Sequence, residues 1–500
     1  MTQNRDGKLT RRALLRGIGF GGMALIIAGC QPKVVERVVE KEVTKVVKEV
    51  VKETVIVAGT PQVVEKEVTK VVKETVVVEK EAEVAKPSEM TAEMWYWCGL
   101  GKNGEDFYRI QVMPLFNELY PNITVEFGQV GGSWQDLYNK LVTGAAGGAV
   151  PEVCRMKDYF TPDFAVRGVQ ADLTDYIDAT PHLSDEMWVP NAWTNAHWNG
   201  KAYALPINIF IHYPHMSVEL FEKAGLVDSE GVPIAPDTWE DWAETARKIS
   251  DPDNRVYGTM LRKEDVSEGT TNAFHLMVAQ AGGRLCDENF EKYTFNSPEG
   301  LEALNFVVSM IKNGSMKPLG MSIPNIHLNN QVGIWWHSAN YWTDYVRTDP
   351  DFRWCTSINP ILKTRGGIVR GNHLALFTAA KEIEAGWAWM SFHETPQIDY
   401  MYGVSQNFIT AQVENHKKPY YEGGVGDNTC ALFSTEFKQF EEPGNQNQPI
   451  FPGYQESSMK IAAQLQMAYM LEISPEEALE KAEEEANAVL AETRKLLGIT

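Results

Sequence analysis

Cysteine is scarce in this chain of 500 residues: there are six, scattered, with no C-x-x-C pair among them. That spacing excludes a thiolate zinc site and offers no disulfide framework. Cys98 and Cys154 fall at expected strand ends and are placed to lie near one another, yet buried free thiols are the simpler reading. Positive charge is also short, with 46 Lys and Arg against 67 Asp and Glu, a net −21. The first 29 residues hold Arg5, Lys8, Arg11, Arg12 and Arg16 against Asp6, so the remainder carries −25. Such a body argues against nucleic acid or anionic lipid as a partner and favours neutral or cationic solutes. Catalytic motifs are missing as well. There is no G-x-S-x-G and no phosphate loop G-x-x-x-x-G-K-[ST]. His393-Glu394-Thr395-Pro396 lacks the second histidine of a zinc protease helix, and its proline breaks the needed spacing. Carboxylates are plentiful, but none sits in a recognisable catalytic motif. The chain reads as a binder rather than an enzyme, with no metal and no cofactor expected.

What is present begins at the N-terminus. Thr10-Arg11-Arg12-Ala13-Leu14-Leu15-Arg16 is a twin-arginine pattern, followed by an apolar run from Ile18 to Ile27. That run is too short for a stable membrane span. It ends in Ile27-Ala28-Gly29-Cys30, small residues before a thiol suited to acylation. Residues 1–29 are therefore expected to be a removed signal peptide. Cys30 becomes the lipidated first residue, anchored at the outer face of the cytoplasmic membrane.

Residues 30–90 are a low-complexity spacer. Val38-Val39-Glu40-Lys41-Glu42-Val43-Thr44-Lys45-Val46-Val47-Lys48-Glu49 recurs unchanged at Val63 to Glu74, a period of 25 residues. Val39, Val43, Val46 and Val50 fit a heptad seam, so a short coiled coil is one expectation. Gly59-Thr60-Pro61 would interrupt any continuous helix. The plainer expectation is a solvated stalk.

From about residue 91 the pattern changes. Met94–Cys98, Asn122–Phe127 and Pro151–Met156 read as strands, and Glu105–Tyr120 and Trp134–Val142 as helices. Strands alternating with helices predict an open α/β sheet. Gly99-Leu100-Gly101-Lys102-Asn103-Gly104 is a literal G-x-G-x-x-G after a strand, with Glu126 at the expected end of the next one. That context leaves open an exported NAD(P)-dependent oxidoreductase. The bulk of Trp95, Tyr96, Trp97 and Cys98 opposes it, because the pyrophosphate turn needs close packing.

Trp198-Asn199-Gly200-Lys201-Ala202-Tyr203-Ala204-Leu205-Pro206 opens with a turn pair and leads into an apolar run through Tyr213, read as a strand. Ser217 to Gly225 follows as a helix with a serine cap and a glycine stop. This wording resembles the hinge crossing of bacterial extracellular solute-binding proteins, the maltose-binding-protein-like sugar receptors of ABC importers. Pro151-Glu152-Val153 with Gly168 to Leu173, Pro236-Asp237-Thr238-Trp239-Glu240, Asn330 to Trp336, Gly366-Gly367 with Asn372 to Leu376, and Ser474 to Leu479 resemble further family segments in the same order. Glu152 stands where the family usually has Asp.

The resemblance implies an α/β fold of two lobes, type II, each a mainly parallel sheet flanked by helices. It implies residues 91–206 with 359–405 in one lobe and 207–358 with 406–500 in the other. It also implies a carbohydrate bound between them and delivered to permease subunits. The first wall would be Trp97, Gly99, Gly101 and Lys102, then Asp158 and Tyr159, with Asn208 from the hinge strand. Trp336, His337 and Asn340 would come from the second lobe, Asn372 from the return strand and Tyr454 from a late loop. A surface glycan-binding module without a transporter is the remaining alternative.

Overall fold

The computed structural model describes residues 39–57, 60–78, 88–97, 101–260, 266–319, 321, 323, 325–341, 348–349, 351–422, 429–430 and 432–498. Cys30, Gly99 and the signal segment lie outside them. The chain divides into two compact units, 1–89 and 90–500.

The first unit is a hairpin. β1 (Val39–Val57) pairs antiparallel with β2 (Thr60–Val78), setting Val46 opposite Val71 and Val39 opposite Val78. The repeat is therefore extended and not the heptad helix of the coiled-coil expectation. The reason lies in composition: valine and threonine are stiff at χ1 and favour a pleated ribbon over a helix. Lys48–Glu67 at 3.4 Å and Lys52–Glu65 at 3.2 Å join the strands through exposed pairs, each worth less than about 1 kcal/mol.

In the second unit β3 (Met90–Trp97), β4 (Ile123–Val130) and β5 (Val153–Lys157) run parallel. The helix expected over Glu105–Tyr120 begins at Gly101 and carries a π-helical stretch at Phe107–Val112, just before Pro114. A proline has no N–H to give to the preceding turn, and a local widening of the helix absorbs that loss. Glu152, in the family's Asp position, is buried and accepts N–H bonds from Glu93 at 2.6 Å, Lys381 at 3.2 Å and Glu382 at 3.4 Å. One acidic side chain thus ties β3 to the start of a helix more than 200 residues away in sequence.

Asn199 and Gly200, with φ of 48° and 76°, turn the small hairpin of β6 (His197–Trp198) and β7 (Lys201–Ala202). Both positions need positive φ, which explains the Asn-Gly pair. β8 (Ala204–Phe210) then joins the first sheet, while β9 (Tyr213–Ser217) joins the second. The apolar run read as one strand is therefore two, broken at Ile211-His212. β10 (Tyr257–Thr259), β11 (Val332–His337) and β12 (Trp354–Thr356) complete most of the second sheet. β13 (Ile368–Leu376) and β14 (Ile409–Thr410) return to the first, β15 (Thr429–Cys430) belongs to the second, and β16 (Gln446–Asn447) pairs with β13.

The seven-stranded sheet runs β14-β8-β13-β5-β3-β4 with β16 beside β13, and the five-stranded sheet runs β10-β11-β9-β12-β15. Among the described residues the chain thus passes between sheets after Phe210, between Thr356 and Ile368, after Thr410, and again between Cys430 and Gln446. Ile207–Phe210 and Ile409–Thr410, assigned to the second lobe by the resemblance, pair in the first sheet. Helices Glu268–Gln280, Pro298–Lys312, Tyr454–Tyr469 and Pro475–Leu497 pack together, and the first of them touches β13. Thr238 and Ser474 cap their helices, accepting from Asp241 N at 3.0 Å and Glu477 N at 3.2 Å. Cys154 and Cys286 are buried free thiols. Cys355 is disulfide-bonded. The scattered cysteine spacing gave no sign of it.

Candidate functional site

The site grows from the C-terminal end of β5. Lys157 is the last residue of the strand, and Asp158, Tyr159 and Phe160 form a single 3-10 turn after it. The Asp158 carboxylate accepts from Gly371 N at 2.8 Å and Tyr159 N at 3.0 Å, with Asn195 Nδ2 at 3.5 Å. A side chain at Gly371 would crowd Asn208 O, 2.9 Å from the position of a Cβ. Glycine is what lets β13 come close enough to hold Asp158. Burial pushes the Asp158 carboxyl up to about 6, partly offset by Lys157 and by the Gly371 N–H.

Asn208 on β8 and Asn372 on β13 stand opposite each other in register. Asn372 Nδ2 donates to Asn208 Oδ1 at 3.0 Å. Both side chains are buried, and Asn208 Nδ2 and Asn372 Oδ1 have no hydrogen-bond partner among the described residues. The Tyr159 hydroxyl is in the same condition. The pair therefore offers one spare donor and one spare acceptor, a pattern that matches a hydroxyl.

The opposite wall comes from helices. Tyr454 opens its helix and meets Tyr159 edge-on, ring centroids 5.2 Å apart. Its hydroxyl donates to Asn272 Oδ1 at 3.1 Å, and Asn272 Nδ2 has no partner among the described residues. Asp158, Tyr159, Asn208, Asn372 and Tyr454 thus gather where the two lobes meet, all buried.

The remaining expected residues divide. His337 ends β11, accepts from Ser338 N at 2.9 Å, and its ring lies 5.4 Å from that of His212 at the first crossing. Trp336 packs on Trp242 at 4.3 Å and donates its indole N–H to Asn359 Oδ1 at 2.8 Å. It borders a cavity of about 30 Å³ shared with His212, Met260, Met277 and Met316, enough for roughly one water. Trp336 is thus largely a core residue. Asn340 accepts from Ser338 Oγ at 2.6 Å. Trp97 closes β3, while Gly101 and Lys102 open the following helix. Glu126, expected to end its strand beneath a dinucleotide ribose, is exposed in the middle of β4 opposite Glu93, with four more strand residues beyond it. The dinucleotide context is lost there.

Sequence reasoning missed the cations. Lys157 Nζ lies 4.7 Å from the Trp134 ring centroid and 4.8 Å from that of Phe210. The Arg370 guanidinium lies 4.9 Å from Phe210, and its Nη2 is 2.6 Å from His212 Nδ1. Lys157 directly precedes Asp158 and Arg370 lies two residues before Asn372 on β13, which is the signal that would have found them. Among the described residues no group of His, Cys, Asp and Glu has the arrangement of a metal site.

Two sheets joined by strand crossings carry this cluster of buried amides and tyrosines. The profile of the family described as bacterial extracellular solute-binding protein matches residues 102–399, and the chain belongs to that family. A binding protein of Brucella abortus is 22% identical over 394 residues, covering 77% of this chain and 90% of the relative. Among solved structures, an ABC substrate-binding protein from Listeria monocytogenes in complex with cycloalternan superposes with a TM-score of 0.70 at 20% identity, covering 81% of this chain and all of that one. An ABC transporter solute-binding protein from Thermotoga lettingae bound with α-D-tagatose gives a TM-score of 0.70 at 23% identity over 80% of this chain and all of that one. The fold is the type II two-lobe fold of these receptors.

Proposed function

We propose that this protein is the lipid-anchored receptor of an ABC importer, binding a carbohydrate between its lobes and delivering it to the permease. The observation that carries the reading is the Asn208–Asn372 pair with its spare donor and acceptor, linked through Asp158 to Tyr159, whose ring meets Tyr454 edge-on. Aromatic faces suit the apolar faces of sugar rings, while amides fix hydroxyls by directional bonds. Closure of the lobes encloses the solute, and the closed shape is what a permease reads. Cys30 carries the anchor, and residues 30–90 hold the body away from the membrane. Asp158, Tyr159, Asn208, Asn372 and Tyr454 are the solute-binding set.

A thermal-shift panel of mono- and oligosaccharides, with NAD(P), amino acids and polyamines beside them, tests this directly. A ligand of the folded state adds roughly 2.7 kcal/mol at a hundredfold excess over its dissociation constant. The expected result is a raised midpoint with one sugar class and none with nucleotides. A shift with NAD(P) alone would overturn the proposal.

A further inference from the structure

Gln448 is buried at 1% exposure, and neither its amide nitrogen nor its amide oxygen has a hydrogen-bond partner among the described residues. A glutamine amide carries two donors and an acceptor, and burying both ends unmet costs folding free energy. The backbone fixes where this amide stands. Gln446 N donates to Gly367 O at 2.9 Å and Gln448 N to Val369 O at 3.0 Å. Gln446 lies opposite Ile368 and Asn447 opposite Val369, so the next step of the ladder brings Gln448 level with Arg370. Residues two apart on a strand share a face, so Arg370 and Asn372 point the same way. Gln448 therefore stands on the face that carries the Asn208–Asn372 pair.

The helix Glu268–Gln280 adds two more unspent groups. His275 Nε2 lies 3.0 Å from Gln446 Oε1, and Gln446 Nε2 donates to Gly283 O at 2.7 Å. The second bond turns the Gln446 oxygen toward the imidazole, so His275 carries its proton on Nε2 and presents Nδ1 as a bare acceptor. Burial lowers this imidazole to about 4, which keeps it neutral at neutral pH. His275 Nδ1 is buried and has no partner among the described residues. Asn272 lies one turn earlier on the same helix face. It spends its oxygen on Tyr454 Oη and keeps Nδ2 unspent. His275 and Tyr454 both feel the charge of Arg370, the residue that Gln448 stands beside. Gln448, His275 and Asn272 thus make a second polar set with donors and acceptors to spare.

The two sets are too far apart for one sugar ring. β8 borders β13 on one edge and β16 on the other. Asn208 and Gln448 are therefore two strand spacings across and two residues along from each other, about 12 Å. A ring seated on Asn208 and Asn372 leaves Gln448 unserved, whereas a second ring linked to the first reaches it. Buried polar atoms without partners are scarce in folded proteins. Their concentration at two places on one sheet face points to a ligand with hydroxyls at both.

We infer that Gln448, His275 and Asn272 form a second sugar-ring subsite, so that the solute spans at least two linked rings and Gln448 sets its minimum length. This rests on the carbohydrate reading and narrows it.

Calorimetric titration of the purified chain tests it with glucose, galactose, mannose and xylose, each beside its α- and β-linked disaccharides and trisaccharides. The expected result is binding of at least one disaccharide, with its monosaccharide at least tenfold weaker. Gln448→Met is close in shape and lacks the amide. It should remove most of that gain, while the unliganded melting midpoint stays the same or rises because an unmet amide is gone. A lowered midpoint would show Gln448 to be structural and overturn the inference. A disaccharide preference untouched by Gln448→Met would also overturn it, as would a monosaccharide that binds as tightly as its own oligomers. Those outcomes leave the receptor reading standing. Binding by no carbohydrate at all would remove both.

Discussion

The seven-stranded sheet ends in polar side chains with hydrogen-bonding capacity left over, whereas the five-stranded sheet spends its strand ends on its own packing. Asn208 and Asn372 keep a donor and an acceptor unspent. Trp336 has committed its face to Trp242 and its N–H to Asn359. Across from the tyrosine of the β5 turn it is helices, not strand ends, that present polar groups, Asn272 and Tyr454. Similar-looking strand ends do different work according to what stands across from them.

That contrast is most easily broken at Trp336. As a core residue, Trp336→Ala should cost about 3–5 kcal/mol of stability by urea unfolding. A variant that keeps its stability but loses sugar binding would put Trp336 back in the solute wall.

The join between the lobes gives the next largest effect. Glu436 accepts from Ile211 N at the first crossing and from Ala339 N beyond β11, each at 3.2 Å. Burial raises its carboxyl from 4.5 to about 8. The folded state then holds a proton that the unfolded chain has released, so this group's stabilising share is full below pH 4.5. It is lost as pH rises from there through about 8. Glu436→Gln should remove that slope, gaining about 1–3 kcal/mol at pH 8 and nothing near pH 4. Parallel pH–stability curves for the two proteins would contradict the assignment.

The smallest effect is a control on the second lobe. Thr238→Ala removes a capping box and should cost about 1 kcal/mol, with sugar affinity unchanged. A change in affinity would show that this helix reaches the site.

Much of this was legible in the sequence, for identifiable reasons. The strand–helix alternation and the caps at Ser217, Thr238 and Ser474 are local signals that survive folding. Asp158, Asn208 and Asn372 could be placed because each lies on or just after a recognisable strand. Lys157, Phe210 and Arg370 lie beside them and escaped notice because a lone cation or phenylalanine in a strand looks like ordinary edge or core. Asn272 lies within a largely buried helix and gives no pattern at all. An aromatic residue near the end of a strand, as Trp336 is, reads the same whether it faces solute or core. Only Trp242, 94 residues earlier, decides between them. The repeat at 38–74 offered a heptad spacing, and the β-branched content that defeats it was the stronger signal.

The measurement that tests the central claim most directly is a thermal-shift comparison of the native chain with the Asn208→Ala, Asn372→Ala double variant across the same sugar panel. The account predicts similar unliganded midpoints, a rise with one sugar class for the native chain, and most of that rise lost in the variant. An equal rise in both proteins would place the solute elsewhere and contradict the site described above.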